Sequence, residues 1–359
     1  LKGMCTADNS SMYVFALNLN YDPATKPEII ELDTLLRGDG KKPAPFRRHA
    51  RLWHECDYAE VAGRRGRPPV DSVRAQILQN YSELLTRDDI DPTMEMNALL
   101  RLPHRGMQVH NEYTIFAHFY HLHDMLRHVE KTRWYVDQDT GIRGALLTAF
   151  REEIKQGRCE AFFVQVNRGM TEKNRLGAIH AGRVLVDKMA ARPGNADKTE
   201  QELRRLVVKK ALARLEQLGP WKDPWLKHPV PSKNEPEKWI CHLTERLGFC
   251  TDDDHLAALY DLASAKGTDQ FFMQIRRRFS LLERMLNRAS QSERVWNIYS
   301  PYNPVVIQRM LNIYRVFYNF SKVGKGKKTP AMRLGLASAP VDVVRILNHR
   351  PRVSGARTT

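Results

Sequence analysis

The chain reads as an α/β protein, a mixed sheet with flanking helices, and three stretches predict this. Met12 to Asn20 alternates and is rich in Tyr, Val, Phe and Leu, the period-two pattern of a half-buried strand. Thr132 to Val136 is a short aromatic strand that runs into Asp137. Ala161 to Val166, Ala-Phe-Phe-Val-Gln-Val, is a continuous apolar run of the kind buried in the middle of a sheet. A helical pattern from about Ile142 to Gln156 separates these last two, so strand, helix and strand follow one another as in a right-handed parallel crossover.

Tyr21-Asp22-Pro23 ends the first strand, and residues 24 to 70 read as a Pro- and Arg-rich loop with an apolar patch near Leu52-Trp53. The spacing predicts helices over Val70 to Arg87 and Asn111 to Val129. Residues 172 to 265 read as helical, broken by Pro220, Pro224, Pro229 and Pro231. Final helices cover Gln270 to Ser290 and Val305 to Phe320. The expected division is a first part of the core over 1–171, with a helical and basic insertion at about 24–130, then a large helical insertion over 172–265. The rest of the core follows over 266–348, and 349–359 is a disordered tail.

With 359 residues the chain is long enough to bury a sizeable core, and 57 Lys and Arg against 41 Asp and Glu leave a formal charge of +16. That balance favours a polyanionic partner, because phosphate contacts supply most sequence-independent nucleic-acid affinity. No run of about eighteen apolar residues occurs, which argues against a membrane span, and the spread of the cysteines argues for a cytoplasmic protein. The start, Leu1 to Asp8, has no cleavable signal pattern, and Leu1 as first residue points to a missing N-terminus. Cys5, Cys56, Cys159, Cys241 and Cys250 are odd in number and lack any Cys-x-x-Cys spacing, which points to reduced thiols. Asp252-Asp253-Asp254, between Cys250 and His255, reads as a helix N-cap rather than a metal loop. His118, His121, His123 and His128 crowd one helix and read as surface or packing residues.

The C-terminal third carries an ordered set of boxes. Phe279-Ser280-Leu281-Leu282-Glu283-Arg284 reads as a basic amphipathic helix bearing one carboxylate. Arg294-Val295-Trp296, Ser300-Pro301-Tyr302-Asn303-Pro304, Tyr318-Asn319-Phe320 and Lys328-Thr329-Pro330-Ala331-Met332 follow in turn. That order resembles the C-terminal end of DDE transposases from bacterial insertion sequences, over about a seventh of the chain. The resemblance implies an RNase H-like core, which the hairpin, strand–helix–strand and late carboxylate-bearing helix also suit. It implies DNA cleavage and strand transfer during transposition, a homo-oligomer on DNA at the nucleoid, and no small-molecule substrate.

In-line attack on a phosphodiester uses two Mg²⁺ (or Mn²⁺) ions, about 3.5–4 Å apart, held by carboxylates on rigid elements. Asp137 is the leading candidate, because a carboxylate closing a sheet strand faces the crevice where ligands bind in open α/β sheets. The Asp-Gln-Asp turn resembles the middle aspartate of these enzymes, and Asp139 is the structural alternative, capping the helix at Ile142. Glu283 is the implied last ligand; alone it reads as a surface ion pair with Arg284 or Arg288, and Glu293 is the fallback. The implied first ligand is Asp8, with Asp22 or an upstream residue as alternatives, since Asp8-Asn9-Ser10-Ser11 looks like a hairpin turn. From Asp137 to Glu283 is 283 − 137 = 146 residues, which requires an inserted subdomain.

Two basic stretches suit DNA. Arg64-Arg65-Gly66-Arg67-Pro68 contains an Arg-Gly-Arg-Pro core, which would lay Arg65 and Arg67 in a narrow minor groove or serve as a solvated basic loop. Lys325, Lys327 and Lys328 lie in a flexible cationic stretch suited to phosphates rather than bases. The reading from a different class is a catalytically inactive transposase remnant that only binds DNA.

Overall fold

The computed structural model describes residues 2–62, 106–139, 141–167, 169–244, 252–279, 282, 286–287, 294–295 and 303–348. In chain order these form β1 (Gly3–Ala7), β2 (Val14–Leu19), β3 (Tyr21–Asp22), α1 (Pro27–Leu36), α2 (Glu55–Ala62), β4 (Met107–Gln108), α3 (Asn111–Leu126) and β5 (Thr132–Val136). Next come α4 (Ile142–Ala149), α5 (Arg151–Lys155), β6 (Cys159–Val166), α6 (Glu172–Ala190), α7 (Glu200–Leu212), β7 (Glu216–Leu218), β8 (Asp223–Lys227) and β9 (Lys238–His242). Last are α8 (Asp253–Leu262), α9 (Lys266–Arg278), β10 (Leu286–Asn287), β11 (Arg294–Val295), α10 (Pro304–Phe320), α11 (Pro330–Arg333) and α12 (Val343–Leu347). The protein is mixed α/β and divides into two compact units: Leu1–Ile30 with Arg101–Gln108 and Lys266–Thr359, and Glu31–Leu100 with Val109–Ala265.

The larger unit is organised by a five-stranded mixed sheet in the order β5-β6-β9-β8-β7. β5 and β6 are parallel, with Thr132 opposite Cys159 and Val136 opposite Phe163. The other pairs are antiparallel. β6 sits between β5 and β9, and its first six residues are all buried, which explains a run with no alternation. On one face Phe162, Val164, Leu226 and Ile240 pack against Val208 of α7 and Ala257, Leu259 and Tyr260 of α8. On the other, Trp134 meets Phe119 of α3 and Phe150 between α4 and α5. α4 turns Ile142, Ala145, Leu146 and Ala149 inward, the i, i+3, i+4, i+7 stripe of a helix with one apolar face. Thr199 and Glu202 close a reciprocal capping box at the start of α7.

The smaller unit is built on the β1–β2 hairpin, with Val14 and Leu17 packed against Phe271 and Ile275 of α9 and Ile307, Leu311, Tyr314 and Tyr318 of α10. Asn303 caps α10 and Pro304 takes its first turn, where a missing N–H costs nothing. α10 runs along the free edge of β2 and satisfies its backbone. Val14 N–H donates to Asn319 Oδ1 at 2.9 Å, and Asn319 Nδ2 donates to Val14 O at 2.9 Å. Leu19 N–H donates to Gln308 Oε1 at 2.9 Å, and Gln308 Nε2 donates to Leu17 O at 3.3 Å. Arg315 donates to Phe15 O between them.

Several expectations change. The strand over 12–20 lies in a separate two-stranded sheet with β1, not with β5 and β6, because α10 occupies the edge of β2 that a further strand would use. Residues 172–265 are not wholly helical: after α6 and α7 they supply β7, β8 and β9 to the main sheet. Residues 24–70 are not only loop, since Pro27 at the head of α1 and Glu28 in its first turn start a ten-residue helix. Leu52 and Trp53 are buried, as an apolar patch should be. The helix expected to Ser290 ends at Arg278, and β10 pairs with β11 beyond it. The helix expected over Val70 to Arg87 lies outside the described residues.

Replacing Asn319 with Ala should leave the Val14 N–H and C=O without partners and cost about 2–4 kcal/mol in a urea titration, with Asn319→Asp intermediate because only the acceptor remains. Asp57, fully buried, accepts from Arg47 Nη1 at 2.6 Å and from the His54 N–H at 2.9 Å, with His110 Nε2 at 3.5 Å. Burial alone would raise its pKa, but these partners outweigh it and hold the carboxyl below its ordinary value. A depressed folded pKa means stability present above about pH 3.9, the unfolded value, and lost as pH falls through the folded one. Asp57→Asn should therefore flatten the acid limb of the stability profile, and cost about 3–5 kcal/mol at neutral pH by leaving Arg47 buried without its counter-charge.

Candidate active site and nucleic-acid contacts

Asp137 directly follows β5, at the carboxyl end of the parallel β5–β6 pair, and is exposed. Gln138, the next residue, is buried. The turn into α4 is fixed by Asp139, whose Oδ1 accepts the Gly141 N–H at 3.1 Å. A Cβ at Gly141 would meet Ile115 Cδ1 of α3 at 2.9 Å, so a side chain there would require that methyl to shift. The two aspartates thus separate by role, with Asp139 shaping the turn and Asp137 exposed at the strand end.

The same end of the sheet carries a polar crest that the sequence reading missed. Asn167, just past β6, donates to Glu237 Oε2 at 2.9 Å, and Lys227 at the end of β8 lies 3.1 Å from Glu237 Oε1. Burial raises the Glu237 pKa, but the Asn167 and Lys227 contacts outweigh it and leave the carboxyl below its usual range. Beside it, the buried Lys238 ammonium donates to Ala263 O at 2.5 Å and pairs with Glu235 at 3.1 Å. Ser264 Oγ donates to the other Glu235 oxygen at 2.5 Å. Burial pushes Lys238 below the usual lysine range, partly offset by Glu235. His228 is driven well below its ordinary value by burial and by the charges of Lys238 and Arg204, so it stays neutral. Trp239-Ile240-Cys241, a buried run like that of β6, was the signal for this strand and its crest.

The opposite end of the sheet is closed by ordinary packing. His242 stacks on Phe162 with centroids 4.3 Å apart, its Nε2 lies 3.0 Å from Thr244 Oγ1, and burial pushes its pKa down to about 4. Arg133 donates to the buried Glu160 at 3.1 Å. On α3, His118 is buried edge-on to Phe119 and is pushed down to about 4 by burial and by His121, whereas His123 meets Glu153 at 3.1 Å. Among the described residues no group of three His, Cys, Asp or Glu side chains is arranged to hold a metal ion.

Asp8, in the smaller unit, is the hairpin turn: its Oδ2 accepts from Ser10 N–H at 3.0 Å, Ser11 N–H at 2.5 Å and Ser11 Oγ at 2.6 Å. Asp22 Oδ1 likewise accepts the Ala24 N–H at 2.9 Å. Asp252 caps α8 by accepting the Asp254 N–H at 3.0 Å, the role read from sequence. Lys325–Lys327 form a single 3₁₀ turn, after which Lys328 leads into α11, and Lys327 and Lys328 are exposed. Thr329 caps α11, whose Pro330 and Ala331 are buried, so the Thr-Pro-Ala-Met box is a docking turn. Glu283, Glu293, Arg65 and Arg67 lie outside the described residues. No helix among the described residues is long and apolar enough to cross a membrane.

The chain matches no protein-family model, no curated protein and no solved structure.

If Asp139 is the residue that shapes the turn, Asp139→Ala should lower stability by about 0.5–1.5 kcal/mol in a urea titration while leaving the far-ultraviolet spectrum unchanged.

Proposed function

We propose that the protein is a DNA transposase of the DDE kind, with the β5–α4–α5–β6 crossover as the RNase H-like centre of its catalytic unit. The observation that carries the reading is the exposed Asp137 at the carboxyl end of a strand paired in parallel with the buried β6. The ordered C-terminal boxes and the charge of +16 support it. Magnesium or manganese takes oxygen ligands, and Asp137 suits such an ion. Asp8 suits it less, because three donors already fill its Oδ2.

In this proposal Asp137 would be a ligand of the metal ion, which when bound would activate the attacking hydroxyl and stabilise the leaving oxygen. Asp139 sets the turn that presents Asp137, and Gln138 anchors it. Arg65, Arg67, Lys325, Lys327 and Lys328 contact DNA, and the protein acts at the nucleoid as a homo-oligomer on element ends. The second reading, a remnant that binds without cutting, draws support from the commitment of Asp8 to its turn.

The test is a supercoiled plasmid incubated with the protein and Mg²⁺. Asp137→Ala should reduce nicking and strand transfer to the metal-free level while DNA binding in a gel-shift assay stays near that of the unaltered protein. Cleavage retained by Asp137→Ala removes it from the site, and binding without cleavage by the unaltered protein selects the second reading.

A further inference from the structure

Residues 31–51, in the larger unit, hold six Lys and Arg against three Asp and Glu, and the fold sorts those charges by depth. Asp39 is buried and ties both ends of the loop that follows it. Lys42 Nζ donates to its Oδ1 at 2.6 Å, and the Arg48 N–H donates to its Oδ2 at 2.9 Å. Arg47 turns inward, donating through Nη1 to the buried Asp57 at 2.6 Å and through Nε to Lys42 O at 2.9 Å. The other cations face outward. Lys42 and Arg48 keep about half of their side-chain surface in solvent, Lys41 is exposed, and Arg48 Nε lies 3.7 Å from Asp33.

Phe46 stands between the two tied ends and is 76% exposed. Pro43 and Pro45 flank the buried Ala44, and Ala44–Phe46 forms a 3₁₀ turn closed by the Arg47 N–H on Ala44 O at 3.2 Å. Among the described residues the Phe46 ring meets no other aromatic ring. A lone exposed apolar residue carries no message. This one is held out on a rigid loop, with exposed cations at positions 41, 42 and 48.

We infer that this loop is a contact for single-stranded DNA, with Phe46 stacking on an unpaired base and Lys41, Lys42 and Arg48 taking the phosphates beside it. The inference rests on DNA being the partner and names the form of DNA that this loop holds. Each base has a flat apolar face and each linkage one negative charge, so an aromatic ring among cations matches both. In a duplex those faces are covered by the neighbouring bases, which leaves Phe46 nothing to stack on. A guanidinium has five N–H donors, so the approach of Arg48 Nε to Asp33 leaves donors for a phosphate oxygen. Tying the loop on Asp39 lowers the ordering cost that a mobile loop would pay on binding. Leu32, Leu35 and Leu36, exposed on α1, give the competing use of this surface, a contact between two copies of the chain.

The experiment measures binding of the full chain, by fluorescence anisotropy over a range of salt, to a labelled oligo-dT, an abasic strand of the same length and a duplex. Phe46→Ala should weaken oligo-dT binding about five- to a hundredfold, the loss of one stacked base, and leave the abasic strand and the duplex within about twofold. Phe46→Trp should restore the oligo-dT affinity. Lys41→Gln and Arg48→Gln should each lower the log–log salt slope on both single strands by about 0.7, one phosphate contact. Equal losses on oligo-dT and abasic strand, or no loss on either, overturn the stacking contact and leave DNA as partner. If Phe46→Ala keeps its oligo-dT affinity and turns an oligomer into a monomer in sedimentation, the loop is a contact between copies and the inference fails. An unaltered protein that binds none of the three overturns the DNA reading together with this one.

Discussion

The smaller unit depends on one interaction, the pairing of a helix with the free edge of a strand. A two-stranded hairpin has an open edge on each side, and β2 has its outer one covered by side chains of α10. Asn319 and Gln308 each use a whole amide, donor and acceptor, as a peptide group would. The spacing works because the two elements advance together. Eleven helical residues from Gln308 to Asn319 rise about 16 Å at 1.5 Å each, and five strand steps from Val14 to Leu19 cover nearly the same distance. The bulge near Ala7 lets Val14 and Leu17 share the α10 face, so backbone bonding and apolar packing coincide there. The Tyr-Asn pair is thereby explained as structure: Tyr318 fills the core and Asn319 holds the strand.

In the larger unit the corresponding constraint is a buried polar cluster. The loop between β8 and β9 is tied down by Glu235 and Lys238, which join the end of α8 to the start of β9. Gly182 of α6 lets that loop pass close, since a Cβ there would meet Pro231 Cδ at 2.7 Å. Fixing this loop fixes the crest of Asn167, Glu237 and Lys227 at the end of the sheet where Asp137 lies.

How much was legible from sequence follows from how local each signal is. β6 stood out because both its faces are buried, so six successive residues are apolar or shielded. The β5 strand, the Asp139 turn and the Asp252 cap were legible because each depends on residues two or three apart. β8 and β9 were missed because four prolines over 220–231 read as breaks in a helix, while β9 is tied to the sheet by β6, more than seventy residues away, and β8 reaches β6 only through β9. The isolation of β2 was invisible for the same reason, its partner being a helix that mimics a strand only through side-chain amides. The polar crest at Glu237 had no sequence signal beyond an acidic stretch before an apolar run. Of the described carboxylates named from sequence, Asp137 has both an exposed position and a place at the end of the main sheet, whereas Asp8 proved to be the turn that its Asn-Ser-Ser neighbours suggested.

The bonds between Val14 and Asn319 join residues 305 positions apart. A ribosome adds roughly 5–20 residues each second, so the hairpin emerges about 15–60 s before the helix that seals it. Through that interval the outer edge of β2 has no native partner, and its backbone groups are open to any extended segment nearby. A chain interrupted before α10 leaves that edge without any of its native side-chain partners. Residues of α10 thus complete a hairpin some three hundred positions earlier, and a nascent-chain chaperone has the open β2 edge to shield during this wait.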